Sequence, residues 1–344
     1  MIARRKTRQI KVGGVKIGGN APVSIQSMTK VRTSDVAAVV SQIKELQSSG
    51  CEIIRVAVKD QADAEAISRI KRKIKIPLVA DIHFDYRLAI KSINSGADKI
   101  RLNLGNLKKR AEIEEVIKAA KKARIPIRVG VNSGSTDRRL SDAALDYIKV
   151  FEAFDFYDII ISLKASDVIS TVDEYRKMAR MCDYPLHLGV TSAGSYDSGV
   201  IKSSVGIGSL LLDGIGDTVR VSLTADPVEE VVAAKRILSA VGLRQFGPEI
   251  ISCPTCGRCQ VDLGRMVREL DSKLSTIHYS LSTKHPLTIA VMGCEVNGPG
   301  EAKEADIGIA FGKGNGILFK KGKVIKRVSA KNAVVELLKL LTKN

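Results

Sequence analysis

The sequence contains no tryptophan and only 4% aromatic residues. Ring platforms for stacking single-stranded nucleic acid are therefore scarce. No stretch reaches the roughly 18 uncharged apolar residues of a membrane-spanning helix. The basic N-terminal segment MIARRKTRQIKVGG leads into no apolar run of the kind a secretory signal carries. A cytoplasmic protein with no membrane partner is expected. Acidic residues are also few: 37 Asp and Glu face 55 Lys and Arg, a formal net charge of +18. Such an excess suits acidic partners, from nucleic acid to phosphorylated metabolites. A solvated lysine-rich surface would give the same number, so charge alone identifies no partner.

What the chain does have is apolar material for a core, 44% of 344 residues, and a repeating order. Short β-branched runs occupy 23–29, 52–58, 77–83, 99–105, 126–132, 158–165, 185–191 and 217–224. Helical patterns separate them, as at 35–50, where Asp35 is placed to cap the start and Gly50 to end it. Eight such β/α units fit a closed parallel barrel better than an open doubly wound sheet, although periodicity counts units without showing closure. An alternating stretch at 7–18 reads as a hairpin plugging the barrel floor. The pattern breaks near Gly247-Pro248. An α/β fold is expected: an N-terminal (β/α)8 TIM barrel over 1–246, then a smaller α+β iron–sulfur domain over 247–344. In the second part we expect a helix at 261–275, strands at 287–294 and 305–312, a hairpin at 317–328 and a last helix at 330–342. GKGNG at 312–316 precedes a strand and lacks the Lys-Ser/Thr pair of a phosphate loop, so it reads as a hairpin turn.

Cations interrupt the apolar strands at Arg55, Arg101, Arg128, Lys164 and Arg220. Most lie toward the C-terminal ends, where the strands of a barrel converge on one mouth. Any one of them could be a satisfied core ion pair. Several unpaired cations buried together would cost many kcal/mol unless anions meet them, and Asp81 is the one strand carboxylate near the mouth. A bound small anion carrying two or more phosphates resolves the imbalance, read by arginine forks and a lysine point charge. A convergent pocket of this kind does not suit nucleic acid, which needs an extended stripe. His83 and His187 are the acid–base candidates, because histidine titrates near neutrality; the plainer role for each is a hydrogen bond to a neighbouring strand or to substrate. Two histidines with Asp81 could hold zinc, but the further ligands of such barrel sites do not occur at the strand ends.

Cys51 and Cys182 stand alone and read as inert thiols. Cys253, Cys256 and Cys259 follow a three-residue spacing, with Cys294 further on. Three close thiols and one distant match iron–sulfur ligation better than structural zinc, which uses two pairs. Spacing leaves the fourth place open between a cysteine and a carboxylate, Glu295 or Glu301.

The segments VSIQSMT, GCEIIRVAV, PLVADIHFDYRLAI, DKIRLN, IRVGVN, ISLKASDV, DYPLHLGVT, GIGDTVRVSL, SCPTCGR and VMGCEVNGPGEA occur in this order. Together they closely resemble the bacterial 4-hydroxy-3-methylbut-2-enyl diphosphate synthase family of the non-mevalonate isoprenoid pathway, over nearly the whole chain. The resemblance implies a TIM barrel joined to a 4Fe–4S domain. It also implies two-electron reductive ring opening and dehydration of 2-C-methyl-D-erythritol 2,4-cyclodiphosphate, with ferredoxin or flavodoxin as donor and a head-to-tail homodimer. Carried onto this chain, the cluster ligands would be Cys253, Cys256, Cys294 and Glu301, and Glu301 would also take part in catalysis. The diphosphate would be held by Arg55, Arg101, Arg128, Asn132, Lys164, Arg220 and Ser222, with Thr191 beside them.

The chain departs from the family in places. Ser192 stands where the family has a substrate-facing Glu, so the proton source passes to His83, His187 or a water held by Ser192. Cys259 stands where Thr is usual and is expected to be a bystander. Leu104 replaces a usual Pro. Residues 313–344 hold nine Lys or Arg against Glu336 alone, a face expected to steer an acidic electron carrier. A diverged iron–sulfur barrel enzyme with another phosphorylated or pterin-like substrate, and an iron–sulfur nucleic-acid-binding protein, are the alternatives.

Overall fold

The computed structural model describes residues 2–103, 109–136, 138–165, 167–191, 194–276, 287–295, 302, 304–312 and 314–341. The chain divides into two compact units, Met1–Arg244 and Gln245–Asn344.

In the first unit a hairpin, β1 (Ile10–Val12) and β2 (Val15–Ile17), precedes eight strands. These are β3 (Ser24–Met28), β4 (Ile53–Ala57), β5 (Leu78–Ile82), β6 (Lys99–Asn103), β7 (Ile127–Asn132), β8 (Ile159–Lys164), β9 (His187–Leu188) and β10 (Thr218–Val219). They form one sheet in the order β8-β7-β6-β5-β4-β3-β10-β9, with every pair parallel. Periodicity could not decide closure; a parallel bridge between Ile161 and Leu186 now joins the two edges. There the Ile161 N–H donates to the Pro185 carbonyl at 2.9 Å. The result is a nearly closed (β/α)8 barrel. The last two strands are shorter than their β-branched runs. Past them the Arg220 N–H still donates to the Leu188 carbonyl at 2.9 Å. Gly189 permits this approach, since a Cβ there would stand 2.8 Å from the Arg220 carbonyl oxygen.

Helices α1 (Val36–Ser48), α2 (Gln61–Lys71), α3 (Tyr86–Asn94), α4 (Arg110–Ala123), α5 (Leu140–Glu152), α6 (Val168–Met181), α7 (Tyr196–Leu212) and α8 (Pro227–Ala240) alternate with the strands. Aspartates set several starts: Asp35, Asp60, Asp85, Asp167 and Asp226 each accept a backbone N–H of the first turn, a bond worth about 1 kcal/mol apiece. Gly50, at φ +106°, follows α1 and releases the chain into β4.

The hairpin closes the floor. Ile10, Val12 and Ile17 are buried against Ile53, Val79 and Ile160, from the starts of β4, β5 and β8. An apolar layer therefore seals the barrel below its polar inward residues.

The second unit carries a five-stranded sheet of β11 (Glu249–Ser252), β12 (Thr288–Met292), β13 (Ile307–Gly312), β14 (Asn315–Lys320) and β15 (Lys323–Ser329), in that order. The first three are parallel and the last two antiparallel. Helices α9 (Leu263–Thr276) and α10 (Ala333–Leu341) bury Met266, Leu270, Val334 and Leu337 against Val291 and Ile309. The Lys321-Gly322 turn between β14 and β15 has positive φ at both residues, 48° and 72°, the backbone that a two-residue hairpin needs. Among the described residues no helix is long and apolar enough to cross a membrane.

The floor layer makes a quantitative expectation. Ile17 is fully buried, so Ile17→Ala should lower the stability of the barrel by about 2–5 kcal/mol through lost burial and the cavity left behind. Urea unfolding followed by circular dichroism measures the loss.

Candidate functional site

Strand alternation sends Lys99, Arg101 and Asn103 to one side of β6 and buries all three. Register then places Asp81, Arg101 and Arg128 beside one another on β5, β6 and β7. One rung higher, Gly130 pairs with Ser162, and above that Asn132 pairs with Lys164. Arg55 and Met28 are partners on β4 and β3, and Thr218 lies between Ser24 and His187. Residues far apart in sequence therefore converge because their strands share a period of two and a common register.

Asp81 is the hub. Its carboxylate accepts from Arg101 Nη1 at 3.1 Å and lies 3.6 Å from Arg55 Nε. Burial works against its charge, but Arg55, His83, Arg101 and Arg128 outweigh that and hold its carboxyl well below the usual carboxylate range. Arg101 spends its other Nη on Asn132 Oδ1 at 3.4 Å, and its guanidinium lies across Gly130, where a Cβ would come within 2.8 Å of Nε. Arg220 is held differently. Glu230 of α8, almost fully buried, accepts from its Nη2 at 3.2 and 3.3 Å, while Nη1 donates to Ser222 Oγ. Arg128 has one bond, to Gln26 Oε1 at 3.3 Å, and its Nε and Nη2 are buried without partners. Arg101 Nε and Arg220 Nε are likewise unpartnered.

A narrow pocket opens here, lined by Arg55, Ser162, Lys164, Thr191, Arg220 and Ser222, with His187 and Tyr175 deeper. Burial lowers the Arg55 guanidinium to about 10 and, with Arg55, Arg101 and Arg128 nearby, the Lys164 ammonium to about 6. Donors in excess, positive charge in excess and two buried carboxylates already engaged are the chemistry that suits an anion. Asn132, at the end of β7, joins it through Arg101.

The histidines separate. His83 lies past β5 at the mouth, its side chain 45% exposed, with Nε2 3.1 Å from Arg101 Nη1 and 3.5 Å from Asp81. His187 is buried inside the barrel, its Nδ1 3.4 Å from Thr218 Oγ1. Burial, with Arg128, Lys99, Arg55 and Lys164 around it, holds it well below its ordinary pKa. It is therefore a neutral hydrogen-bonding ring at pH 7. Asp81 is committed to two guanidiniums, which would repel a metal cation placed between it and the histidines. Ser192 and Leu104 lie outside the described residues.

Strand reasoning missed three residues. Lys99 sits two positions before Arg101, and the alternation of KIRLN was the signal for it. Glu230 escaped because it arrives from a helix. Gly130 matters for what it lacks.

In the second unit, Cys253 follows β11 and Cys294 follows β12, both buried, so parallel neighbouring strands deliver them to the same sheet end. The Gly293 N–H donates to Cys253 Sγ at 3.3 Å. A Cβ on Gly293 would stand 2.4 Å from Cys259 Sγ, which donates to the Val261 carbonyl at 3.3 Å. Cys256 is exposed, and among the described residues no three ligand side chains close into a metal cage. Thiols gathered at a glycine, one already accepting an N–H, nonetheless fit an iron–sulfur group in chemistry and placement. Glu301 lies outside the described residues. Cys51 is buried and its thiol is pushed up to about 12 by that burial, as an inert cysteine should be. The basic Lys320–Lys323 turn lies level with Ile307, whereas Cys294 lies near the level of Gly312, at the other end of β13. Lys313 and Lys343 fall outside the described residues.

Comparison with known proteins gives concordant matches. The model of the GcpE TIM-barrel domain matches residues 7–235, and that of the GcpE protein C-terminal domain matches 249–343. The chain is 53% identical to a 4-hydroxy-3-methylbut-2-en-1-yl diphosphate synthase (flavodoxin) of Caldanaerobacter subterraneus subsp. tengcongensis, over 100% of this chain and 99% of the relative. It is 51% identical to the protein of that name from Thermodesulfovibrio yellowstonii, over 100% of each. Among solved structures, dihydropteroate synthase of Yersinia pestis superposes with a TM-score of 0.51 at 14% identity, covering 67% of this chain and 97% of that one. That likeness concerns the barrel fold alone.

Replacing the hub carboxylate tests the electrostatics. Asp81→Asn leaves Arg55 and Arg101 buried without their counter-charge and should cost about 3–5 kcal/mol at pH 7. The carboxyl is held low in the folded state, so its contribution is complete above about pH 4 and is lost as pH falls through the folded-state value. Urea unfolding across pH should show the gap between wild type and variant closing in acid.

Proposed function

The chain belongs to the GcpE family, and from that premise we propose how its barrel and its thiols perform the reaction of a 4-hydroxy-3-methylbut-2-en-1-yl diphosphate synthase. The protein is an oxidoreductase of isoprenoid biosynthesis. Its substrate is 2-C-methyl-D-erythritol 2,4-cyclodiphosphate, which two electrons convert, with ring opening and loss of water, to 4-hydroxy-3-methylbut-2-enyl diphosphate. The observation that carries the substrate reading is an unsatisfied cluster: Arg220, which lines the pocket, and Arg101 and Arg128, whose charges reach its Lys164, hold buried guanidinium nitrogens without partners, as a diphosphate would require.

Arg55, Arg128, Lys164 and Arg220 bind the diphosphate, with Thr191 and Ser222 donating hydroxyls. Arg101 is oriented by Asp81 and Asn132 and adds to the same field. These groups are fixed before substrate arrives, so they stabilise charge that grows on the leaving diphosphate oxygen without reorganising. His83, at the mouth, has an exposed ring and is the better placed of the two histidines to pass a proton to solvent. His187 donates or accepts hydrogen bonds as a neutral ring. Ser192 brings a hydroxyl in place of a carboxylic acid, so a water it held would be the alternative proton source.

Cys253, Cys256 and Cys294, with Glu301, would hold a 4Fe–4S cluster, which when bound supplies electrons one at a time. Cys259 packs on Gly293 and stays a bystander. Flavodoxin, for which the relatives are named, is the electron donor in this reading, with ferredoxin the other small acidic carrier of the same chemistry. The lysines of the β14–β15 turn steer such a carrier by long-range charge, which needs no contact with the thiols. A head-to-tail homodimer completes the proposal.

Anaerobically reconstituted protein should consume the cyclodiphosphate with reduced flavodoxin, and Arg128→Met should lose roughly 10²–10³-fold in kcat/KM. Consumption of no cyclodiphosphate by cluster-loaded protein would sink the reading. Cys259→Ser should keep its iron and visible absorbance while Glu301→Gln loses both; the reverse pattern would make Cys259 a ligand. Charge reversal of Lys321 and Lys323 should slow flavodoxin-dependent turnover and spare a small chemical reductant, and equal slowing of both would remove the steering role.

A further inference from the structure

Lys99 has no part in the site described so far, yet it is among the most completely enclosed cations of the barrel. It opens β6 with no exposed surface. Register pairs it with Val79 of the apolar floor layer, so it stands directly above the hairpin plug, beneath the cavity and not on its wall. Its Nζ is buried without a hydrogen-bond partner. The charges that act on it are Arg128 of β7 and Arg55 of β4, both cations. Of the other titratable groups turned into the barrel, Asp81 of β5 is engaged by Arg55 and Arg101. Glu230 is engaged by Arg220, and His187 of β9 is neutral. On β8, Lys164 is a third like charge when protonated. The phenol of Tyr175, on α6, donates to the His187 carbonyl. Gln26 on β3 carries no charge.

An ammonium at this place has neither exposed surface nor a counter-ion, which costs several kcal/mol. The neutral amine is therefore the stable form in the ligand-free barrel, and burial together with Arg128 and Arg55 lowers the Lys99 pKa well below the ordinary lysine value. A diphosphate entering above changes the balance by supplying the missing negative charge. We propose that Lys99 is a sixth cation of the anion site, which takes up a proton from solvent when a diphosphate enters the barrel and then attracts that diphosphate from beneath. The proposal rests on reading the cavity as a diphosphate site. Lys164, at the mouth, behaves in the same way where solvent reaches it.

The sign follows from linkage. The bound diphosphate raises the lysine pKa, so binding takes up protons at any pH between the free and bound values, and affinity falls as pH rises through that window. Stability and binding then respond oppositely to loss of Lys99. An apolar residue of similar shape removes an unsatisfied buried amine and should leave the ligand-free barrel at least as stable, while binding loses a charge. A purely structural lysine would show the reverse.

The test uses full-length, cluster-loaded protein under anaerobic conditions. Inorganic pyrophosphate and the cyclodiphosphate are each titrated calorimetrically at pH 8 in two buffers of different ionisation enthalpy, and urea unfolding is measured without ligand. Relative to wild type, Lys99→Met should take up about one proton fewer per ligand and bind roughly tenfold or more weakly, the equivalent of at least one pKa unit of coupling, with no loss of ligand-free stability. Lys99→Gln, which keeps a donor but cannot gain a proton, should show the same deficit in protons. Equal proton numbers and affinities in wild type and Lys99→Met would overturn the proposal, as would a ligand-free Lys99→Met markedly less stable than wild type. A proton deficit seen with pyrophosphate, in a protein that neither binds nor consumes the cyclodiphosphate, would support Lys99 and discard the synthase reading.

Discussion

Asp81 carries the charge against which the interior of the barrel is arranged. Arg101 and Arg55 reach it from the strands on either side, and Arg128 adds to the field that keeps it ionised. Without it, buried guanidiniums would face one another across a low-dielectric space with no compensation. With it, the cluster is tolerable but still short of negative charge. Glu230 relieves Arg220 and the remaining donors are left pointing inward. This residual imbalance is what the proposed function uses: the fold tolerates an unsatisfied interior, and a bound diphosphate would satisfy it.

The rest of the barrel serves that arrangement. An apolar plug of Ile10, Val12 and Ile17 keeps water from entering below, so the cations can be approached from the mouth. Gly130 gives Arg101 room to lie across β7. Aspartate caps fix the starts of helices that hold the strands in register. In the second unit a comparable economy operates at Gly293, whose bare Cα leaves space for one thiol while its N–H serves another. In both places a missing side chain lets a functional group take a position that packing would otherwise forbid.

Much of this was legible in the residues. Period-two alternation and the eight β/α units announced a parallel barrel, and cations inside apolar strands announced an interior with positive charge in excess. The β14–β15 turn was legible too, although its distance along the sheet from Cys294 was not, because charge counting carries no register. Glu230 was hidden for a related reason: a helix residue reaches a strand-end site through packing that no local pattern encodes. His187 looked like an acid–base candidate from its type alone, and its neutrality comes from burial among cations.

The sequence by itself determined the alternation of strand and helix, the inward face of each strand, the excess of positive charge and the thiol spacing, since all of these depend on neighbours within a few residues. Tertiary structure alone decided closure of the sheet through Ile161 and Leu186, the sharing of Asp81 between two arginines, and the isolation of Lys99 above the floor. Each of these depends on which strands become neighbours, and so on contacts between residues some tens of positions apart. A lysine in a strand is a charge in the sequence; enclosed by Val79, Arg55 and Arg128, it becomes an amine whose proton depends on its ligand.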